Sequence, residues 1–411
     1  MSFASAPVPA PMSAARPRGI PPLPLLTLLN FFNYMDRQVV YGMSDKISET
    51  FHLNQFQFSA LAYVNLTVFA LTSVISGRIA DRVGPRKVIF AGVLVWSLAT
   101  IGSALSHSFW TLLFFRAVVG VGEGAYGPSA NTLLCADAPP EKRGRALGIY
   151  NVGMAFGATT GLVLANSLTA NLNWDWHTVF WIAGAPSVLL AGCAWFVAAP
   201  ERLPRPAALP AGAYLRAPTY VMAVAGGVLA TFGASALVVW SKALIVTDKQ
   251  LIGNVGSIYM AIVGLVCGIG GVIAGGYMGD ALTRRARGGH ARAIGLSFLV
   301  GVPIGVVALM ATNKPTFMVL TAMAVFLLSV YNGPSAAVID ELGPPQFSGT
   351  LQGVSLFLAH VLGNAPAGPV TGFIADRSST SFALQAAMLA FGVSGVLFMI
   401  VARRQRREPA H

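Results

Sequence analysis

The chain has 411 residues, of which 27 are Lys or Arg and 15 are Asp or Glu, a net charge of +12 on a sequence only 10% charged. Soluble globular chains run near about 25% charged, and 55% hydrophobic residues with a mean hydropathy of +0.66 leave too little polar surface for one. An ordinary soluble enzyme, a disordered chain and a disulfide scaffold are excluded, and lipid is the main solvent.

Residues 1–22 are rich in Ala and Pro and lack both an apolar core region and a separate cleavage site, so they read as a disordered cytoplasmic tail and not as a signal peptide. Crossing the hydrocarbon takes roughly 20 apolar residues. Runs of that order occupy 23–43, 57–80, 87–106, 109–135, 144–168 and 178–199. Residues 200–216, with Pro200, Pro204, Pro206 and Pro210, read as a cytoplasmic linker. Further runs follow at 217–246, 255–280, 292–311, 315–339, 347–374 and 381–402, and a basic cytoplasmic tail covers 403–411. A lipid-exposed segment must satisfy its backbone internally, so all are expected to be helices. The expectation is an all-α membrane protein with 12 transmembrane helices, six in an N-terminal bundle (23–199) and six in a C-terminal bundle (217–402).

Lys and Arg set the orientation. With the N-terminus inside, twenty fall in cytoplasmic loops and tails, and five (Lys46, Lys242, Lys249, Lys314 and Arg377) fall at the outer edge. That asymmetry predicts a multi-pass protein with both termini cytoplasmic, and it removes nucleic acid as the reason for the positive charge. The short loops and compact length point to a cell inner membrane.

The two sets of six repeat. Gly77-Arg78-Ile79-Ala80-Asp81 is echoed by Gly276-Tyr277-Met278-Gly279-Asp280 at an offset of 199 residues, and Gly127-Pro128-Ser129-Ala130 by Gly333-Pro334-Ser335-Ala336 at 206. Tyr126 and Tyr331, and Pro139-Pro140 and Pro344-Pro345, match at 205. A parallel repeat of this kind is a transporter architecture, with substrate held between the halves near the midplane.

The run Gly77-Arg78-Ile79-Ala80-Asp81-Arg82-Val83-Gly84-Pro85-Arg86-Lys87 resembles the signature loop between helices 2 and 3 of the major facilitator superfamily, and the likeness extends over nearly the whole chain. It implies that fold and a gate in which Gly77, Asp81, Arg82 and Arg86, with Asp280 and Arg284 of the degenerate second copy, form an ionic latch at the cytoplasmic face. Asn33-Tyr34-Met35-Asp36-Arg37 and Arg116-Ala117-Val118-Val119-Gly120-Val121-Gly122-Glu123 together are similar to the Spinster family of lysolipid and sphingolipid transporters. The anion:cation symporters of the superfamily share a related pattern.

Charges within apolar helices cost at least about 2.5–3.5 kcal/mol each and are functional by default. Asp36, Arg37, Arg116 and Glu123 are the clear cases. Glu123 is the expected proton carrier, with Asp36 second, while Arg37 and Arg116 tune it or hold an anionic head group. Asn33, Tyr34, Arg37, Arg116, Tyr126, Trp240, Tyr331, His360 and Asn364 are the expected substrate contacts. The second half shows no equivalent charge cluster, and His52, His107, His177, His290 and His411 read as loop, interface or tail residues. Gly153, Gly157 and Gly161 in the fifth run, and Gly264, Gly268, Gly271, Gly275 and Gly279 in the eighth, have spacing that permits close helix approach. The resemblance makes them a sliding contact between the halves, and packing within one half is the alternative.

Cys135, Cys193 and Cys267 form no CxxC pair and read as small buried hydrophobes. Gly122, Gly124 and Gly127 match a dinucleotide fingerprint by letter only, because they lie inside an apolar helical run rather than after a strand. No catalytic constellation, metal-ligand spacing or cofactor motif appears, so no enzyme, metal or cofactor is expected. The functional expectation is a monomeric, proton-coupled secondary transporter of an amphiphile such as a lysophospholipid or sphingoid-like lipid. The alternative is an organic-anion/proton symporter. The partners are protons, a small amphiphilic or anionic substrate and membrane lipid.

Overall fold

A computed structural model describes residues 19–199, 210–244, 259 and 262–407. The expected tail over 1–18, the linker over 200–209, the join of the seventh and eighth runs over 245–258 with 260–261, and residues 408–411 lie outside the described residues.

Among the described residues the chain is helical without a strand. Before the linker it forms α1 (Pro22–Gly42), α2 (Ser44–Phe51), α3 (Gln55–Val83), α4 (Pro85–Ala104), α5 (Phe109–Asp137), α6 (Arg143–Asn166) and α7 (Trp176–Trp195). After it come α8 (Ala211–Leu215), α9 (Pro218–Ala243), α10 (Gly268–Arg285), α11 (Gly289–Met310), α12 (Lys314–Ser329), α13 (Ser335–Asp340), α14 (Ser348–Leu358), α15 (Ala365–Ala375) and α16 (Thr380–Arg407). Nine helical stretches among the described residues are long and apolar enough to cross a membrane. The runs at α1, α5 and α14–α15 are not among the nine. The first two carry the four buried charges, and the third is interrupted by a wide helical turn at Ala359–Asn364.

Local chemistry sets the helix ends. Asn54 Oδ1 accepts the backbone N–H of Gln57 at 2.8 Å while Gln57 Oε1 accepts that of Asn54 at 3.0 Å, a reciprocal cap that starts α3. Gly84 stops it with φ of +95°, and Pro85 at the first position of α4 restarts the chain in the opposite direction. Gly288 makes the matching turn at φ +74° before α11.

Buried apolar side chains gather by chain half. One cluster centres on Phe298, Phe391 and Phe398 and draws on the chain after the linker. Another, around Trp96, Tyr126 and Leu133, is built almost entirely from before it, and a third, around Met35, Trp176 and Phe180, entirely so. The halves meet where α3 packs on α14 and α6 packs on α10. Gly77 lies against the Gly349 carbonyl and Gly144 against Gly276, leaving no room for a Cβ at either crossing. Asn151 Nδ2 donates to the Asn332 carbonyl at 2.6 Å, and Ser73 Oγ to that of Gly353 at 3.2 Å, so these contacts are bonded as well as packed.

The expected glycine contact is corrected here. Gly153, Gly157 and Gly161 pack on Thr27, Phe31 and Met35 of α1, within one half. Gly271 and Gly275 pack on Phe326 and Val330, again within one half, and no described residue lies close to Gly264. A glycine spacing marks a groove but not which neighbour fills it. The crossing between halves uses Gly144 and Gly148, nearer the start of α6, against Gly276 and Val272, the residues beside Gly275 and Gly271 on the next face of α10.

Candidate functional site

A cavity of about 260 Å³ lies between the halves. Its first-half wall includes Asn33, Tyr34, Arg37, Phe69, Glu123, Tyr126 and Asn151, and its second-half wall includes Tyr331, Asn332, Gln352, Leu356 and His360.

Asp36 and Arg37 are neighbours on α1, so they point about 100° apart around the helix. Arg37 faces the cavity and its Nη2 donates to Glu123 Oε2 of α5 at 2.7 Å. Asp36 turns into the bundle, where Arg116 Nη2 of α5 lies 3.5 Å from its Oδ1. At that distance the contact is an ion pair without a hydrogen bond. Thr100 of α4 joins the two, donating to Asp36 Oδ2 at 2.8 Å and lying 3.5 Å from Arg116 Nη2. The guanidinium of Arg116 also lies over the Phe180 ring of α7 at 5.2 Å. The pairs therefore cross between α1 and α5, one on the cavity wall and one behind it.

Arg37 is further held by two aromatic faces, Tyr34 at 4.9 Å and Phe69 at 4.8 Å. Phe69 in turn meets His360 of the opposite half at 4.9 Å between ring centroids. His360 Nδ1 is 2.8 Å from the Leu356 carbonyl, so Nδ1–H donates there and leaves Nε2 as the free ring nitrogen. Asn65 Nδ2 lies 3.4 Å from Glu123 Oε2. Three buried polar atoms on lining residues have no partner among the described residues: Asn33 Nδ2, Arg37 Nε and Glu123 Oε1. Buried polar atoms are normally bonded, so these are positions where a ligand gains most.

Of the sequence candidates, Asn33, Tyr34, Arg37, Glu123, Tyr126, Tyr331 and His360 come together on the cavity. The Tyr126 hydroxyl is already committed to the Leu26 carbonyl at 2.7 Å. Asp36, Arg116, Trp240 and Asn364 are not in the lining. Trp240 stands against Gly372, and Asn364 Oδ1 accepts from Ser235 Oγ at 2.8 Å.

At the end of the bundle that carries the basic loops, Asp81 accepts from the backbone N–H groups of Gly349 and Thr350, both at 2.8 Å, and from Thr350 Oγ1 at 2.5 Å. It thus binds the N-terminus of α14, where the helix dipole and free N–H groups favour an anion. Asp280 does the same for α6, accepting from Gly144 N–H at 2.9 Å and Arg145 N–H at 3.0 Å. An aspartate here can cap a helix or pair with a base; Asp81 caps a helix, with no basic side chain on it among the described residues. The degenerate second copy of the loop is equivalent where it matters, since only its Asp enters the contact. Arg82 and Arg284 are exposed, and with the half-buried Arg86 they form no ion pair among the described residues. A further bridge between halves joins Arg143 Nη1 to Asp340 Oδ2 at 2.8 Å.

The sequence model of the Major Facilitator Superfamily matches residues 26–365. The chain belongs to that superfamily. Human protein spinster homolog 1 is 26% identical over 387 residues, covering 86% of this chain and 72% of the relative. A probable sphingolipid transporter, spinster homolog 1 of Arabidopsis thaliana, is 24% identical and covers 86% of this chain and 82% of its own. The crystal structure of a bacterial homolog of the human lysosomal transporter Spinster, inward-facing and occupied, matches with a TM-score of 0.60 at 20% identity, over 94% of this chain and 98% of that one. The transporter FucP in its outward conformation matches with a TM-score of 0.74 at 17% identity, over 92% and 98%. The chain is a Spinster-like membrane transporter of this superfamily and not an enzyme.

Several lining residues escaped the sequence reading. Asn30, Asn131, Asn151 and Gln352 are amides within apolar runs, and the cost argument that picked out the charges applies to them too. Phe69 had no signal, because an aromatic in an apolar run is ordinarily packing. His290, read as a loop or interface residue, is fully buried in α11, and the second half does hold a buried charge cluster around it.

Proposed function

We propose that this transporter moves an amphiphilic substrate, a lysophospholipid or sphingoid-like lipid, across the cell inner membrane by proton-coupled alternating access, as a monomer with both termini cytoplasmic. The observation that carries the reading is the Arg37–Glu123 pair at 2.7 Å on the wall of the central cavity. A proton on Glu123 cancels the charge that holds Arg37, freeing the guanidinium for an anionic head group. Loss of the proton restores the pair and displaces the head group. Asn33 Nδ2 and Arg37 Nε, both without partners, are donors available to such a group. Phe69, Met154, Ile339 and Leu356 supply apolar lining beside it. The description of the Arabidopsis thaliana relative as a probable sphingolipid transporter supports a lipid substrate.

The Lys/Arg asymmetry makes the basic end cytoplasmic. The Asp81 and Asp280 contacts and the glycine crossings then close the cytoplasmic side, so the structure reads as an outward-facing state. Gly77, Asp81 and Asp280 are the gate, and Arg82, Arg86 and Arg284 anchor its loops at the membrane surface. Asp81→Asn removes the anion from the α14 terminus and should cost the closed form about 1–2 kcal/mol, roughly five- to thirtyfold in population. The check is the rate at which a water-soluble maleimide, added from the cytoplasmic side, labels a cysteine placed at Ser355 in a variant without Cys135, Cys193 and Cys267. A faster rate in Asp81→Asn supports the gate, and an unchanged rate removes Asp81 from it.

One observation favours the organic-anion/proton symporter instead. Six amides, Asn30, Asn33, Asn131, Asn151, Asn332 and Gln352, line the cavity, a density of donors suited to a small polar anion. Flux into proteoliposomes separates the two, using labelled lysophospholipid, a phosphorylated sphingoid lipid and small organic acids, with and without a pH gradient. Gradient-dependent flux of the lipids alone supports the first reading; flux of the acids alone overturns it in favour of the second.

A further inference from the structure

The gate at the basic end contains a buried cluster that the coupling pair on the cavity wall does not use. His290, the second residue of α11, has no exposed surface. Its Nε2 is 3.1 Å from Asp280 Oδ1 of α10, and its Nδ1 is 2.6 Å from Glu341 Oε1, which follows α13. Thr283 Oγ1 of α10 lies 3.2 Å from the same Nδ1, and Gln405 Nε2 of α16 donates to the other Glu341 oxygen at 3.3 Å. From α6, Arg143 is engaged by Asp340 at 2.8 Å, and the guanidinium of Arg145 lies over the Tyr277 ring at 5.5 Å. The thiol of Cys135 on α5 is buried near Asp340 and Glu341. Neither neighbouring guanidinium is directed to the two carboxylates that His290 faces.

The hydrogen-bond count has one consequence. Each ring nitrogen faces a carboxylate oxygen, and each of these contacts needs one proton. A neutral imidazole brings one and the two carboxylates bring none. The closed arrangement therefore holds one further proton; without it a ring lone pair faces a carboxylate oxygen in a site with little access to water, which is costly. The same Asp280 carboxylate caps α6 of the opposite half. We infer that His290, Asp280 and Glu341 form a second proton-binding site, at the cytoplasmic gate, whose occupation holds that gate shut. The inference rests on the alternating-access reading but not on Glu123 as proton carrier. Because the closed form binds one more proton than the open form, raising cytoplasmic pH shifts the equilibrium toward opening and lowering it favours closure. The transporter then has two proton sites with separate roles, one that couples and one that reports cytoplasmic acidity.

The test uses the full chain in liposomes, with spin labels on cysteines at Lys87 and Arg404, which are exposed at the basic ends of α4 and α16. Cys135, Cys193 and Cys267 are replaced. Distance distributions are recorded across a pH series in a Glu123→Gln background, so that the cavity carboxylate contributes nothing. The expected result is a rising long-distance population as pH rises. His290→Gln should abolish that dependence, and Glu341→Gln, which keeps the ring and removes one carboxylate, should move its midpoint down by about 1–3 pH units. Dependence that is absent in the Glu123→Gln background, or that survives both substitutions with the same midpoint, overturns the inference. If His290→Gln does not fold, the midpoint shift in Glu341→Gln decides. A failure of the coupling reading shows elsewhere, as proton-independent substrate flux with the gate titration intact.

Discussion

Glu123→Gln is expected to bind substrate and exchange it across the membrane while losing all accumulation driven by a pH gradient. The glutamine carbonyl can still accept from Arg37 Nη2, so the 2.7 Å contact between α1 and α5 keeps a partner in the variant. What is lost is the group that alternates between charge and neutrality. With one proton moved per substrate, a gradient of one pH unit is worth about 1.4 kcal/mol and supports up to roughly tenfold accumulation. The variant should reach an internal-to-external ratio near unity at any gradient. Measurement of binding, of counterflow exchange and of steady-state accumulation in one preparation separates coupling from folding. Retained accumulation in Glu123→Gln would falsify its role as carrier.

Asp36→Ala is expected to produce the largest loss of stability. Arg116 is 2% exposed and its partner is 1% exposed, so removing the carboxylate strands a charge deep in the first-half bundle. Breaking one member of such a pair costs about 3–5 kcal/mol, whereas replacing both with apolar groups of similar volume is often close to neutral. The double variant Asp36→Leu with Arg116→Met should therefore recover most of the melting temperature that Asp36→Ala loses. Thermal unfolding in detergent checks both, and a double variant no more stable than Asp36→Ala would mean that the pair organises α1, α4 and α5 through its geometry. The same comparison applied to Arg37 and Glu123 should cost less stability, because Arg37 retains the faces of Tyr34 and Phe69.

Much of this was legible in the residues. The first apolar run, read as 23–43, is the helix Pro22–Gly42, and the fourth, read as 109–135, is Phe109–Asp137. Hydrocarbon thickness sets segment length so strictly that composition alone finds such runs. The four buried charges stood out for a related reason, since few residues in an apolar run cost as much. Which charge pairs with which was not legible. That depends on the azimuth of α1 relative to α5, and a rotation of one residue decides whether Arg37 or Asp36 faces the cavity. The contacts of the two loop aspartates were half visible. Asp81 and Asp280 were found through the repeat, but across the halves they meet mainly backbone N–H groups, such as those of Gly349 and Gly144, which leave no mark in a side-chain pattern. His290 was missed because a histidine directly after Gly288-Gly289 resembles a loop residue until the fold brings Asp280 and Glu341 onto it.

The central claim is that substrate and protons move together through the Arg37–Glu123 site. Its most direct test is a substrate gradient imposed on proteoliposomes with equal pH on both sides, with a pH-sensitive dye inside. Substrate movement should change internal pH in proportion to flux in the wild-type chain and not in Glu123→Gln. Substrate that crosses at the wild-type rate with no change in internal pH would contradict it.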